Sequence, residues 1–328
     1  RGEEMVWVSR NRSYNPSIMG LATGFASLDQ GVGLDVVPSA SVNQQRAFSP
    51  SGTDSDFERS LDVFYRLTPS LNASLTVNTD FSAAEVDDRQ VNLTRFNLFF
   101  PEKRDFFLND TDLFEFGRIG SGNSASTTSS ENNARPFFSR RLGLSPSGAP
   151  VDLEYGGKLS GRVGRWNVGA LAIRQDGFRD VDASAAFVGR VSANVLEESS
   201  VGAIVTSGDP NSNRGNSLAG LDFRYLNTHV PGGRVLEADA WYQRSDTHGL
   251  SGKDSAFGLG LRMPTSAKWR GGLGYKEVGA NFNPALGFVS RTNVRDTTAD
   301  AGYTHFVRGR VLQTLFAGAD VERISLLD

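Results

Sequence analysis

Residues 61–78 read LDVFYRLTPSLNASLTVN. From Leu71 to Asn78 the side chains alternate strictly. Leu71, Ala73, Leu75 and Val77 fall on one side, Asn72, Ser74, Thr76 and Asn78 on the other. Upstream, Leu61, Val63, Tyr65 and Leu67 alternate with Asp62, Phe64 and Arg66. A period of two describes a strand with one apolar and one polar face. Pro69-Ser70 between the runs supplies a tight turn. The stretch predicts an antiparallel hairpin.

The same pattern returns down the chain. Leu159, Gly161 and Val163 oppose Lys158, Ser160 and Arg162; Val191, Ala193 and Val195 oppose Arg190, Ser192 and Asn194. Ala219, Leu221, Phe223 and Tyr225 oppose Asp222 and Arg224; Leu236, Ala238, Ala240 and Tyr242 oppose Glu237, Asp239 and Gln243. Leu315, Ala317, Ala319 and Val321 oppose Asp320 and Glu322. About thirteen strands are predicted between 33 and 324. Short turns near 69, 164, 197, 230, 265 and 309 alternate with long connections near 52, 180, 211, 249 and 286. Short turns at one end and long loops at the other are the layout of an outer-membrane barrel, whose strands need ~9–11 residues to cross the hydrocarbon. The expected fold class is therefore all-β: an antiparallel transmembrane β-barrel, whole or incomplete, with an inward-folded, plug-like segment. A soluble β-sandwich, propeller or solenoid is the competing architecture.

Composition narrows the classes. The chain has 328 residues, a net charge of -3 with acids and bases interspersed, no cysteine and three histidines. Nucleic acid is not an expected partner, thiolate chemistry is excluded, and no metal or other cofactor is implied. No run of ~18 apolar residues reads as a transmembrane helix. The mean hydropathy of -0.31 does not argue against a barrel, because alternation averages out. Residues 1–32 read as a connector from a preceding domain, since the chain opens on Arg1-Gly2-Glu3-Glu4 without a signal peptide. Residues 33–328 form the barrel domain, and 80–151 an insertion folded partly into its lumen. An odd strand count and the ending Ser325-Leu326-Leu327-Asp328 favour a fragment of a longer barrel.

The insertion contains VNLTRFNLFFPEKRDFFLN, residues 91–109. Pro101 cannot sit in a central strand, and so many phenylalanines beside fixed charge need apolar cover and charge partners together. The candidate site is a luminal charge cluster of Arg95, Glu102, Lys103, Arg104, Arg140 and Arg141, with Asp80, Glu85, Asp87 and Asp88 from the acidic run before it. One reading is a constellation that binds an anion or gates a pore. The other is structural: the bases, with Arg95, Lys103 and Arg104 turned to the wall, pair with Asp62, Asp222, Glu237, Asp239, Asp320 and Glu322. Carboxylates 80–88 as a glycosidase pair, and Asp209 to Gly215 as a calcium loop lacking its closing Glu, are the weaker candidates. Residues 120–133, GSGNSASTTSSENN, read as a mobile loop or tether. His229, His248 and His305 have no evident catalytic partner.

The run from Leu67 to Asn109 resembles the signature of a bacterial outer-membrane barrel family of unassigned function. Phe137-Phe138-Ser139-Arg140-Arg141-Leu142-Gly143, Gly156-Gly157-Lys158-Leu159 and Asn283-Pro284-Ala285-Leu286-Gly287-Phe288 resemble further blocks of it. Asp105 and Asn109-Asp110 depart from the pattern, where Pro and Glu-Gly are expected. The resemblance implies a Gram-negative outer membrane, a barrel that usually follows a family-nine-type carbohydrate-binding module, and no reaction. Three functions fit the sequence: a non-enzymatic conduit or assembly platform with a plugged lumen, an outer-membrane hydrolase of glycans or lipids, and a secreted β-rich binding protein. The expected partners are the bilayer, then glycans or other outer-membrane or periplasmic proteins.

Overall fold

The computed structural model describes residues 31–48, 51–79, 99–100, 102–120, 130–146, 148–264, 268–307 and 313–328. It is all-β: one 13-stranded antiparallel sheet in which each strand pairs with its neighbour in sequence. The strands are β1 (Leu34–Phe48), β2 (Ser51–Thr68), β3 (Leu71–Val77), β4 (Leu153–Val163), β5 (Trp166–Gln175), β6 (Ser184–Val195) and β7 (Ser199–Ser207). They continue as β8 (Asn216–Val230), β9 (Arg234–Thr247), β10 (Ser255–Met263), β11 (Trp269–Val278), β12 (Val294–Phe306) and β13 (Thr314–Leu326). The alternation thus located the strands and their antiparallel order. One connection differs: β1 and β2 stay paired out to Phe48 and Ser51, so no long loop sits near 52.

Turns after β2, β4, β6 and β8 gather at one end, and loops 176–183, 208–215, 248–254 and 279–293 at the other. β1 and β13 do not pair with each other, so the sheet of the described residues has two free margins. At the first margin, the Arg66 amide donates to the Gly33 carbonyl at 2.8 Å. Hydrogen-bonded and non-hydrogen-bonded pairs alternate in an antiparallel ladder. Leu34, Val36, Pro38 and Ala40 therefore turn their backbone groups away from β2. Pro38, which has no N–H, sits on an edge strand, where such a residue is tolerated.

The two faces of the sheet differ. On the open face, Leu75, Leu221 and Leu273 are 57%, 64% and 61% exposed, and they belong to a continuous apolar field. Register carries that field across the strands, from Leu75 opposite Gly157, through Ala170 opposite Gly189 and Leu221 opposite Tyr242, to Ala299 opposite Val321. Its margins are aromatic: Trp166, Trp269 and Tyr303 toward the turn end, Tyr155, Phe187, Tyr242 and Phe257 toward the loop end. Trp269 and Tyr303 lie with ring centroids 4.6 Å apart.

The other face is covered by the insertion. Toward the loop end it is apolar, contrary to a uniformly polar expectation. Leu171, Ile173, Val188, Ile204, Leu218, Trp241, Val278 and Val294 join Phe106, Phe107, Phe114, Phe116 and Leu142 of the insertion in one buried cluster. The protein's main core thus lies between sheet and insertion. Small residues in the wall make room for it. A Cβ at Gly220 would lie 2.9 Å from the Phe116 ring, and one at Gly258 2.6 Å from the Trp241 indole.

Candidate functional site

The insertion crosses the covered face from β3 and β4 to β13. It contains a single helical turn, α1 (Asp105–Leu108), which buries Phe106 and Phe107. Lys158 of β4 donates to the carbonyls of Phe106 and Asn109 at 2.5 and 2.6 Å. Asp110 accepts from Ser160 at 2.7 Å and from Asn72 at 3.3 Å. Further on, Arg190 of β6 grips Asp222 of β8 with two hydrogen bonds of 2.6 and 2.9 Å. The same guanidinium donates to the Glu115 carbonyl, and Asp222 accepts from the Gly117 amide. Arg118, in the left-handed region at φ 53, reaches Glu237 of β9 at 2.8 Å. Burial lowers the affinity of Arg118 for its proton and Glu237 works against that. Gln243 donates to the Ala134 carbonyl at 2.6 Å. At the far side Ser130 donates to Glu322 of β13 at 2.6 Å, and Lys276 donates to the Ser130 carbonyl at 2.8 Å.

Of the charge cluster expected from sequence, Arg95, Asp80, Glu85 and Asp87, with Asp88, lie outside the described residues. Glu102 and Arg104 come together as a forked pair, Nε to Oε1 at 2.7 Å and Nη2 to Oε2 at 2.6 Å. Arg104 also donates to the carbonyls of Leu142 and Ser139, and its guanidinium lies 4.2 Å over the Phe107 ring. Glu102 accepts in addition from the Ser139 hydroxyl and from the amides of Lys103 and Arg104. Burial alone would raise the Glu102 carboxyl. The hydrogen bonds and charge of Arg104, aided by Ser139, outweigh it and hold the group below the ordinary value of 4.5. A carboxylate so engaged is held in its charged form by donors from three sides.

This corrects the expectation that Arg104 points at the wall. The partners described for it lie inside the insertion, because Glu102 is two residues away and the 3-10 turn Ser139–Arg141 presents carbonyls beside it. Two of the wall acids have other partners: Asp222 holds Arg190, and Glu237 holds Arg118 and lies 3.8 Å from Arg224. Lys103 is half-buried. Arg140 sits 5.8 Å over the Phe100 ring, while Arg141 donates to the Gly287 carbonyl at 2.7 Å. Burial lowers the proton affinity of Arg141, with Asp209 opposing. Among the described residues Arg104, Arg140 and Arg141 thus each have different contacts.

One further expectation changes. Asn132 and Asn133, read as part of a mobile stretch, are buried; Asn133 accepts from the amides of Ser290 and Arg291. The Asp209 loop is a polar turn in which Asp209 accepts from the Asn211 amide and the Ser212 hydroxyl. Among the described residues no group of three His, Cys, Asp or Glu could hold a metal ion. A cavity of about 280 Å³ remains within the insertion, lined by Phe99, Phe107, Phe114, Phe137 and Phe138 with Glu102, Arg135 and Lys158 at its polar side. Sequence reading assigned no anchoring role to Arg118 or Arg190. For Arg190 the only signal was its place on the polar parity of β6.

Residues 31–158 match the profile of a family described as a domain of unknown function (DUF5916), which covers β1 to β3, the insertion and the start of β4. No curated protein matches the chain. No helix among the described residues is long and apolar enough to cross a membrane, which says nothing of crossing by strands.

Proposed function

We propose that this sheet is the wall of a bacterial outer-membrane β-barrel and that the insertion fills its lumen, giving a conduit or assembly platform held closed from within. The observation that supports this most is the open face. Soluble monomers rarely expose apolar patches beyond a few hundred Å². Here a field of leucine, valine and alanine crosses β2 to β13, with aromatic residues at its margins, as in the lipid-facing band of such barrels. Trp166 and Arg174 near its two margins are eight residues apart on β5. That is ~27 Å along a strand and ~20 Å after the usual tilt, close to the ~25 Å height of that band. Both free margins of the sheet must then be paired, with each other or with other strands, because hydrocarbon satisfies no backbone group.

The test is insertion. Protein refolded into phosphatidylethanolamine–phosphatidylglycerol vesicles should float with them and resist extraction by high salt. In planar bilayers, deleting 102–142 should open a stepwise conductance that the parent lacks. A parent that stays monodisperse in detergent-free buffer and does not float ends the reading.

A further inference from the structure

On the open face, near the loop end, the surface field is interrupted by a groove of about 590 Å³ running over β3 to β7. Its floor is made of small residues, Gly157, Ala172 and Ala185. Leu75, Val77 and Tyr155 wall one side and Phe187 the other, and all four side chains are exposed. The only heavy atom of a side chain near a Cβ at Gly157 would be Leu75 Cδ2 at 3.3 Å, so the absent side chain leaves the floor low.

Arg174 stands at the loop end of this groove, on the same face. Two other open-face arginines at that end, Arg244 and Arg295, are engaged by carboxylates. Arg244 donates to both oxygens of Asp254 at 3.1 Å, and Arg295 donates to Glu277 at 2.7 Å. Arg174 approaches Glu154 only to 3.9 Å, beyond hydrogen-bond reach, with both side chains more than a third exposed. A guanidinium at the edge of an apolar face, with Glu154 at ion-pair but not hydrogen-bond distance, can still donate to an external anion. An apolar trough that ends at such a cation matches one amphiphile: an acyl chain in the trough, and a phosphate at the guanidinium.

We propose that the groove seats one phosphate-bearing membrane lipid, with an acyl chain between Tyr155 and Phe187 and its phosphate on Arg174. This rests on the membrane reading above, and the experiment separates the two. Protein reconstituted in phosphatidylethanolamine–phosphatidylglycerol vesicles is floated, extracted in mild detergent and weighed by native mass spectrometry. One retained phospholipid per chain is expected. Ala172→Trp, which fills the floor, should abolish retention, whereas Ala203→Trp, on the same face outside the groove, should not. Arg174→Gln should weaken retention about tenfold, the loss of one charge-assisted contact, and Arg174→Lys should restore part of it. If the parent floats but retains no lipid, or all variants retain it equally, the seat is refuted and the barrel stands. If the parent does not float, both fall.

Discussion

Replacing Arg104 with Met tests how the insertion holds its shape. The Glu102 carboxylate and the Arg104 guanidinium are 8% and 10% exposed, and the change removes two contacts of 2.6 and 2.7 Å between them. It also leaves the carbonyls of Ser139 and Leu142 without this donor. Breaking a buried pair from one side costs about 3–5 kcal/mol, because the remaining charge stays buried. Removing both charges, with Glu102→Leu and Arg104→Met together, should recover most of that loss. Trp241 reports on the contact, since it lies against Phe116 and beneath Gly117. Denaturant titration in detergent, followed by Trp241 fluorescence with the other tryptophans replaced by Phe, measures the loss. The pair also has a pH signature. Glu102 titrates below its ordinary 4.5 when folded, so its contribution is complete above 4.5 and drains away as pH falls through the lowered value. Arg104→Met should flatten that acid limb. A single variant costing under about 1 kcal/mol, or a double variant as unstable as the single, would refute the argument.

Other outcomes follow from the two faces. Gly258→Leu should destabilise by about 1–3 kcal/mol by forcing Trp241 aside, whereas Gly215→Leu, with open space around it, should be near neutral by the same titration. Leu221→Arg should cost ~2–4 kcal/mol in detergent or bilayer if the residue lies near the midplane, and parent-like stability would mean that this face does not meet lipid. If the long loops face outside the cell, cysteine at Ser212 should label with an impermeant thiol reagent on whole cells and cysteine at Glu198, in a short turn, should not; the reverse pattern would put the loops in the periplasm.

The strands were legible because alternation is a local signal, read two residues at a time. The start of β2 was not, because Ser51 to Asp56, SGTDSD, carries no apolar parity, and its pairing with β1 comes from hairpin register alone. The apolar half of the covered face left a trace that parity reading passes over. Val168 to Ile173, VGALAI, is apolar on both parities, as fits a strand with an apolar core on one face and the apolar open field on the other. The charge partners could not be read at all. Sequence offers Arg104 six wall acids, the acids of 80–88 and the neighbours Glu102 and Asp105, and only the fold of the 139–142 turn beside α1 brings it to Glu102. Arg118 could not be found either, since its reach to Glu237 spans more than a hundred residues of chain.

Pro38 makes the two margins of the sheet unequal partners. A strand laid along β1 meets the outward groups of Leu34, Val36, Pro38 and Ala40, and at one rung it offers a carbonyl where no hydrogen waits. If the sheet is the barrel wall proposed above, that lost bond falls in hydrocarbon and is costly, so the newcomer must bulge, shift or end opposite Pro38. Thr314 to Leu326 contains no proline and poses no such condition. One margin thus selects the strand that may join it, while the other accepts any extended chain. Edge-to-edge joining of two copies through β1 meets a missing donor on each, which turns a single ring atom into a safeguard against the wrong assembly.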